Sequence, residues 1–142
     1  LQAAVLLAKL GRLDRDITRR AELARAYTER LQGADGVLRL PTVVERGAVT
    51  NPVFYVYLIE VEQRDELVAH LAAHGIGTEV YYPRPLHTQP CFADLGYRRG
   101  DFPRAESACD HAVGLPFYPD LTESDVDRVC RTIRGYYTGA RA

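Results

Sequence analysis

Residues 75–90, GIGTEVYYPRPLHTQP, narrow the folding options of this chain more than any other stretch. Gly75 suits the left-handed turn that closes a helix, and the sequence predicts a strand over Gly77–Tyr82, clearest at Val80–Tyr82. Pro83 and Pro85 then fix their own φ and bias Tyr82 and Arg84 towards extended backbone. Two phenols, a guanidinium and an imidazole (Tyr81, Tyr82, Arg84, His87) are thereby held at a strand end with little freedom. A hydrophobic core requires no such arrangement, whereas a site that orients a polar ligand does.

Around this segment the apolar periodicity alternates between helix and strand. Leu6, Leu10, Leu13 and Ile17 recur at helical spacing, and Leu23, Tyr27 and Leu31 continue the stripe. Gly11 predicts a bend or restart near Leu13–Asp14, and Gly33 with Gly36 ends the helical region. Val37–Leu40 is a short strand candidate, followed by a loop over Pro41 to Asn51. Val53–Ile59 (VFYVYLI) is the best strand by composition, and its near-continuous apolarity predicts at least partial cover on both faces. Asp65–His74 reads as a helix with Leu67, Val68, Leu71 and Ala72 inward and Gly75 as terminator. A helical turn at Cys91–Leu95, a helix over Ala105–Val113 led by Pro103, and an extended linker over Leu115–Asp120 follow. Thr122 and Asp125 form a capping box for a last helix with Val126, Val129, Cys130 and Ile133 on one face, and Gly139–Ala142 reads as a frayed end. This order predicts an α/β chain of the α+β kind: a three-stranded, mainly antiparallel sheet with helices on one side.

Composition removes several classes of function. A net charge of −1 gives no reason to expect nucleic acid or an anionic membrane as partner. The apolar opening run Ala3–Ala8 is far short of the ~20 residues that span a bilayer. Cys91, Cys109 and Cys130 are odd in number and lack CxxC spacing, which points to reduced thiols in a cytoplasmic protein. The spacing of His87, Cys91, Cys109 and His111 is too irregular for a zinc set.

The motifs YYPRPLHTQP, Leu95-Gly96-Tyr97, Gly100-Asp101-Phe102-Pro103, Ala105-Glu106 and Leu115-Pro116, in this order, resemble the C-terminal part of the DegT/DnrJ/EryC1/StrS sugar aminotransferases. The opening Leu1-Gln2-Ala3-Ala4-Val5-Leu6 is similar to that family's helix following its large domain, and Leu121-Thr122 to the start of its last helix. The resemblance implies residues 1–33 as a connector helix region and 34–142 as the small domain of a fold-type I aminotransferase. It also implies that the catalytic large domain precedes Leu1, in keeping with a chain that contains no methionine. Such enzymes use pyridoxal phosphate to pass an amino group from an amino acid, commonly glutamate, to a keto-sugar that is usually nucleotide-linked. Homodimers are the implied assembly. The single lysine, Lys9, matches no cofactor motif of the family, so the Schiff-base lysine is expected upstream. Two other readings remain: a non-catalytic binding module, and a relative that has lost its lysine and runs a dehydration.

The resemblance assigns substrate contacts to Tyr81, Tyr82 and His87, made across the homodimer interface. Tyr81 stands where the family often has histidine, and a phenol cannot carry an imidazole's proton at neutral pH. Arg84 is a candidate for a diphosphate, whose paired oxygens fit a planar fork of donors. Against these stand plainer roles: a core phenol at either tyrosine, a surface arginine, and a packed or loop-capping histidine. Asp101 and Glu106 are assigned to the start of a helix rather than to acid–base chemistry, and no residue is assigned as catalytic.

Overall fold

The computed structural model describes residues 1–43 and 53–139. The N-terminal apolar stripe forms α1 (Gln2–Leu10) and α2 (Leu13–Leu31), broken at Gly11 and Arg12 where the sequence predicts a restart. The two helices differ in what they bury. All of α1 is exposed, including Val5, Leu6, Leu7 and Leu10, whereas α2 buries Leu23, Ala24, Ala26, Tyr27 and Leu31. Gly33 and Gly36 both take positive φ and turn the chain into β1 (Val37–Arg39). Gly36 has a second reason to lack a side chain, since a Cβ there would lie 2.2 Å from the Tyr137 ring.

β2 (Tyr57–Val61) is the central strand, antiparallel to β1 on one edge and to β3 (Ala112–Leu115) on the other. Tyr57, Ile59 and Val61 are buried on one face, while Leu58 and Glu60 are half-covered on the other. The inner face meets Leu23, Tyr27 and Leu31 of α2, Leu67 and Leu71 of α3 (Arg64–Ala73), and Val126, Val129 and Ile133 of α5 (Glu123–Gly139). Each such side chain contributes about 1.5–3 kcal/mol through removal from water, so this one layer holds the fold. Arg30 ties α2 to α5 by ion pairs with Asp127 and Glu123, the latter at 2.9 Å. Thr122 and Asp125 make the predicted capping box: the Asp125 amide donates to Thr122 Oγ1 (3.2 Å) and the Thr122 amide to Asp125 Oδ2 (3.0 Å). α4 (Pro103–His111) lies on the opposite side, along the half-covered face of β2, so helices flank both faces of the sheet rather than the one side expected, because Leu58 and Glu60 also need cover.

The three-stranded antiparallel sheet is as expected, but two of its strands are placed differently. β2 begins four residues later than Val53–Ile59, leaving Val53 and Tyr55 exposed and extending through Glu60 to Val61. The register with β3, Tyr57 opposite Leu115 and Glu60 opposite Ala112, decides this, because pairing sets where a strand starts. The third strand is Ala112–Leu115, which the sequence divides between a helix and a linker. Residues 77–82 form no strand. They meet the sheet through a single bridge, Glu79 to Gly114, on the outer edge of β3. Gly77 before the bridge and Pro83 after it keep this contact short. α4 accordingly stops at His111, and Ala72 of α3 is exposed rather than inward. Residues 44–51 of the expected loop and 140–142 of the expected frayed end lie outside the described residues, and Gly139 closes α5.

Candidate functional site

The half-covered face of the sheet is the floor of a cavity of about 880 Å³. Leu58 and Glu60 of β2 rise from the floor beside Arg39 and Leu40 at the end of β1. Ala105, Ala108 and Cys109 of α4 form one wall, and the segment from Tyr81 to Gln89 forms the other. The small side chains on α4 leave the room. The lining surface is mostly apolar, and Arg39 Nη1 lies 3.4 Å from Glu60 Oε1.

All four residues singled out from the sequence, Tyr81, Tyr82, Arg84 and His87, line this cavity. Tyr81 is set by the Glu79–Gly114 bridge, in which the Glu79 amide donates to Gly114 O (3.1 Å) and the Gly114 amide to Glu79 O (2.8 Å). Gly114 permits the approach of the ring: a Cβ there would lie 2.8 Å from Tyr81 Cε2. Tyr82 is 76% exposed, so its phenol is free to meet a ligand and is not a core residue. Arg84 is likewise exposed. Pro85 is buried and anchors the loop, after which the 3₁₀ turn Leu86–Thr88 presents His87.

His87 is the packed member of the set. Its Nε2 lies 2.9 Å from Glu106 Oε1, within hydrogen-bond distance, and both side chains are only 8% exposed. Its ring also packs on Phe102, with centroids 4.8 Å apart. The Glu106 carboxylate additionally accepts from the Gly100 amide (2.8 and 2.9 Å) and the Phe102 amide (3.2 Å). Burial pushes its pKa up, but the bonds from Gly100, Phe102 and His87 outweigh that and hold the carboxyl below its usual range. Burial, with the neighbouring Asp110 charge, raises the pKa of the Cys109 thiol against the opposing pull of Arg64.

Sequence reasoning placed Glu106 at a helix start and missed its link to His87, 19 residues away. It gave no role to Gly114 or to the small residues of α4. It also passed over Arg64, a buried arginine whose Nη1 donates to Cys109 O (3.2 Å) and Ala112 O (3.1 Å) and so fixes the end of α4 against β3. Glycine approach distances and long-range carbonyl contacts carry no local pattern, so no sequence signal pointed to them.

The chain's single lysine, Lys9, is exposed on α1 and is not among the residues that line the cavity. Among the described residues no group of three or more His, Cys, Asp or Glu is placed to hold a metal ion. Nor is any described helix long and apolar enough to cross a membrane.

The sequence profile of the DegT/DnrJ/EryC1/StrS aminotransferase family matches residues 1–134. The chain belongs to this family. A pleiotropic regulatory protein of Geobacillus stearothermophilus is 42% identical over 137 residues, 96% of this chain and 36% of that protein. The dTDP-3-amino-3,4,6-trideoxy-alpha-D-glucose transaminase of Streptomyces venezuelae is 38% identical, over 94% of this chain and 34% of that enzyme. Among solved structures, S. venezuelae DesV in complex with a ketimine intermediate superimposes with a TM-score of 0.86 at 38% identity, covering 96% of this chain and 36% of DesV. A DegT/DnrJ/EryC1/StrS aminotransferase from Brucella abortus gives 0.80, also at 38% identity. The chain thus spans about a third of the length of the family members it matches.

Proposed function

We propose that this chain is the substrate-facing small domain of a pyridoxal-phosphate-dependent sugar aminotransferase. The complete protein passes the amino group of an amino acid, glutamate in the first instance, to a nucleotide-linked keto-sugar; the products are an amino sugar and a 2-oxo acid. The observation that carries this reading is the convergence of Tyr81, Tyr82, Arg84 and His87 on one cavity, in a chain matched by the family profile over 134 residues. Pyridoxal phosphate stabilises the negative charge that develops at the amino-bearing carbon. The residues described here lack its lysine, and that function is assigned to the rest of the complete protein.

The cavity suits the sugar end of such a substrate. Apolar floor and wall pack against the ring's C–H faces, while the Tyr81 and Tyr82 hydroxyls donate to and accept from its hydroxyls. Arg84, exposed at the mouth, is placed for the diphosphate, where two parallel N–H donors meet two oxygens. Exposed phenols of this kind and the wholly exposed α1 also fit a site completed by a second copy across a homodimer interface.

The test is an assay of the complete gene product with pyridoxal phosphate, glutamate and dTDP-linked 3-keto sugars, the substrate type that the relatives' names suggest. Formation of 2-oxoglutarate with the matching amino sugar is the expected result. Binding of dTDP-sugar without turnover favours the binding-module reading, and loss of water from the sugar favours the dehydratase reading.

A further inference from the structure

His87 faces the cavity on one side and Glu106 on the other. An ionised carboxylate is acceptor-only, so the imidazole nitrogen facing it must carry the proton. In the neutral ring that leaves the other nitrogen, Nδ1, with a lone pair and no proton. No buried side-chain nitrogen or oxygen among the described residues lacks a partner, so Nδ1 is not sealed in the core without one. Glu106 is itself immobilised. Its carboxylate is held by the Gly100 and Phe102 amides, and Phe102 packs on both His87 and Tyr97, with centroids 4.8 and 5.1 Å apart.

We infer that Glu106 is a positioning residue that fixes both the place and the tautomer of His87, so that the ring offers Nδ1 to the cavity as a hydrogen-bond acceptor. The group recognised there is a donor, an O–H of the sugar, and not a phosphate or carboxylate oxygen. Arg84 and His87 therefore divide the recognition: the guanidinium takes anionic oxygens and the imidazole takes a hydroxyl. The choice of a sugar hydroxyl rests on the aminotransferase reading above, whereas the tautomer does not.

Two measurements on the complete gene product test this. The first is the ¹⁵N shifts of the ring nitrogens with labelled histidine, His87 being assigned by the His87→Gln difference. The expected wild-type signal is a ring that carries a proton at Nε2 and none at Nδ1. Glu106→Gln keeps a carbonyl oxygen where Oε1 now lies and retains that tautomer. Glu106→Ala and the shorter Glu106→Asp withdraw the acceptor and give a mixture, the second serving if the first does not fold. The second measurement is steady-state amination of a dTDP-linked 3-keto sugar. There Glu106→Asp raises KM for the sugar about tenfold with kcat unchanged, and Glu106→Gln restores it.

A wild-type ring protonated at Nδ1, whether alone or together with Nε2, or ring signals and KM unmoved in both Glu106→Ala and Glu106→Asp, overturns the inference. A wild-type protein that aminates no such sugar overturns the aminotransferase reading instead, and the ring shifts still decide the role of Glu106.

Discussion

Replacing Gly114 by alanine puts a methyl group where the Tyr81 ring now lies. The new Cβ would stand 2.8 Å from Tyr81 Cε2 and 3.2 Å from Glu79 O. Carbon atoms pack at about 3.5–4.0 Å, so the ring must retreat by roughly 1 Å, while the carbonyl yields by a few tenths. Gly114 itself does not take positive φ, so alanine is compatible with its backbone. Overpacking costs about 1–3 kcal/mol, and the loss of unfolded-state freedom returns about 0.4–1 kcal/mol. The net destabilisation is therefore about 0–2.6 kcal/mol, and Tyr81 absorbs most of the displacement because it is half-exposed and free to move. A 1 Å misplacement of a positioning group can lower kcat/KM by up to about 100-fold. The prediction for the complete enzyme is a folded Gly114→Ala variant with kcat/KM for the keto-sugar reduced by about tenfold or more. Denaturant unfolding, steady-state kinetics and a structure of the variant measure the three quantities. Unchanged kinetics with a displaced Tyr81 would falsify the assignment of that phenol to the substrate; an undisplaced ring would refute the steric reasoning itself.

Three further outcomes rest on the same packing and hydrogen bonds. Gly36→Ala combines positive-φ strain with overlap on the buried Tyr137 ring, so it should destabilise by about 3 kcal/mol or more in denaturant unfolding, and a loss under 1 kcal/mol refutes this. Tyr82→Phe removes one exposed hydroxyl without touching the core, so KM for the sugar should rise with cofactor binding intact; identical kinetics on every dTDP-sugar tested remove Tyr82 from the site. The Glu106 and Asp125 carboxyls are held below their ordinary values of 4.5 and 3.8 in the folded chain, Glu106 against burial and Asp125 chiefly by its bonds with Thr122. Between folded and unfolded values the unfolded chain binds more protons. This stabilisation is therefore complete above about pH 4.5 and is lost as pH falls through the lowered values. Glu106→Gln should flatten acid unfolding monitored by circular dichroism, and a wild-type acid slope in that variant contradicts the assignment.

What the sequence determined by itself is whatever depends on near neighbours. The restart after Gly11, the end of the helical region at Gly33 and Gly36, the left-handed Gly75, the Thr122–Asp125 cap and the helix of Leu67 and Leu71 all follow from spacing within a few residues. The candidate site was legible for the same reason. Prolines at 83 and 85 confine Tyr81, Tyr82, Arg84 and His87 to one short loop, and the fold keeps all four on one cavity. The tertiary structure decided which segment completes the sheet. Ala112–Leu115 carries a central glycine and weak strand propensity, and it becomes β3 only because Tyr57–Glu60 pairs with it across more than 50 residues. It decided, too, that Glu106 meets His87, a contact between residues 19 apart in the chain. Pairing partners and buried polar bonds are properties of surfaces brought together by burial, and a local pattern records only one side of each.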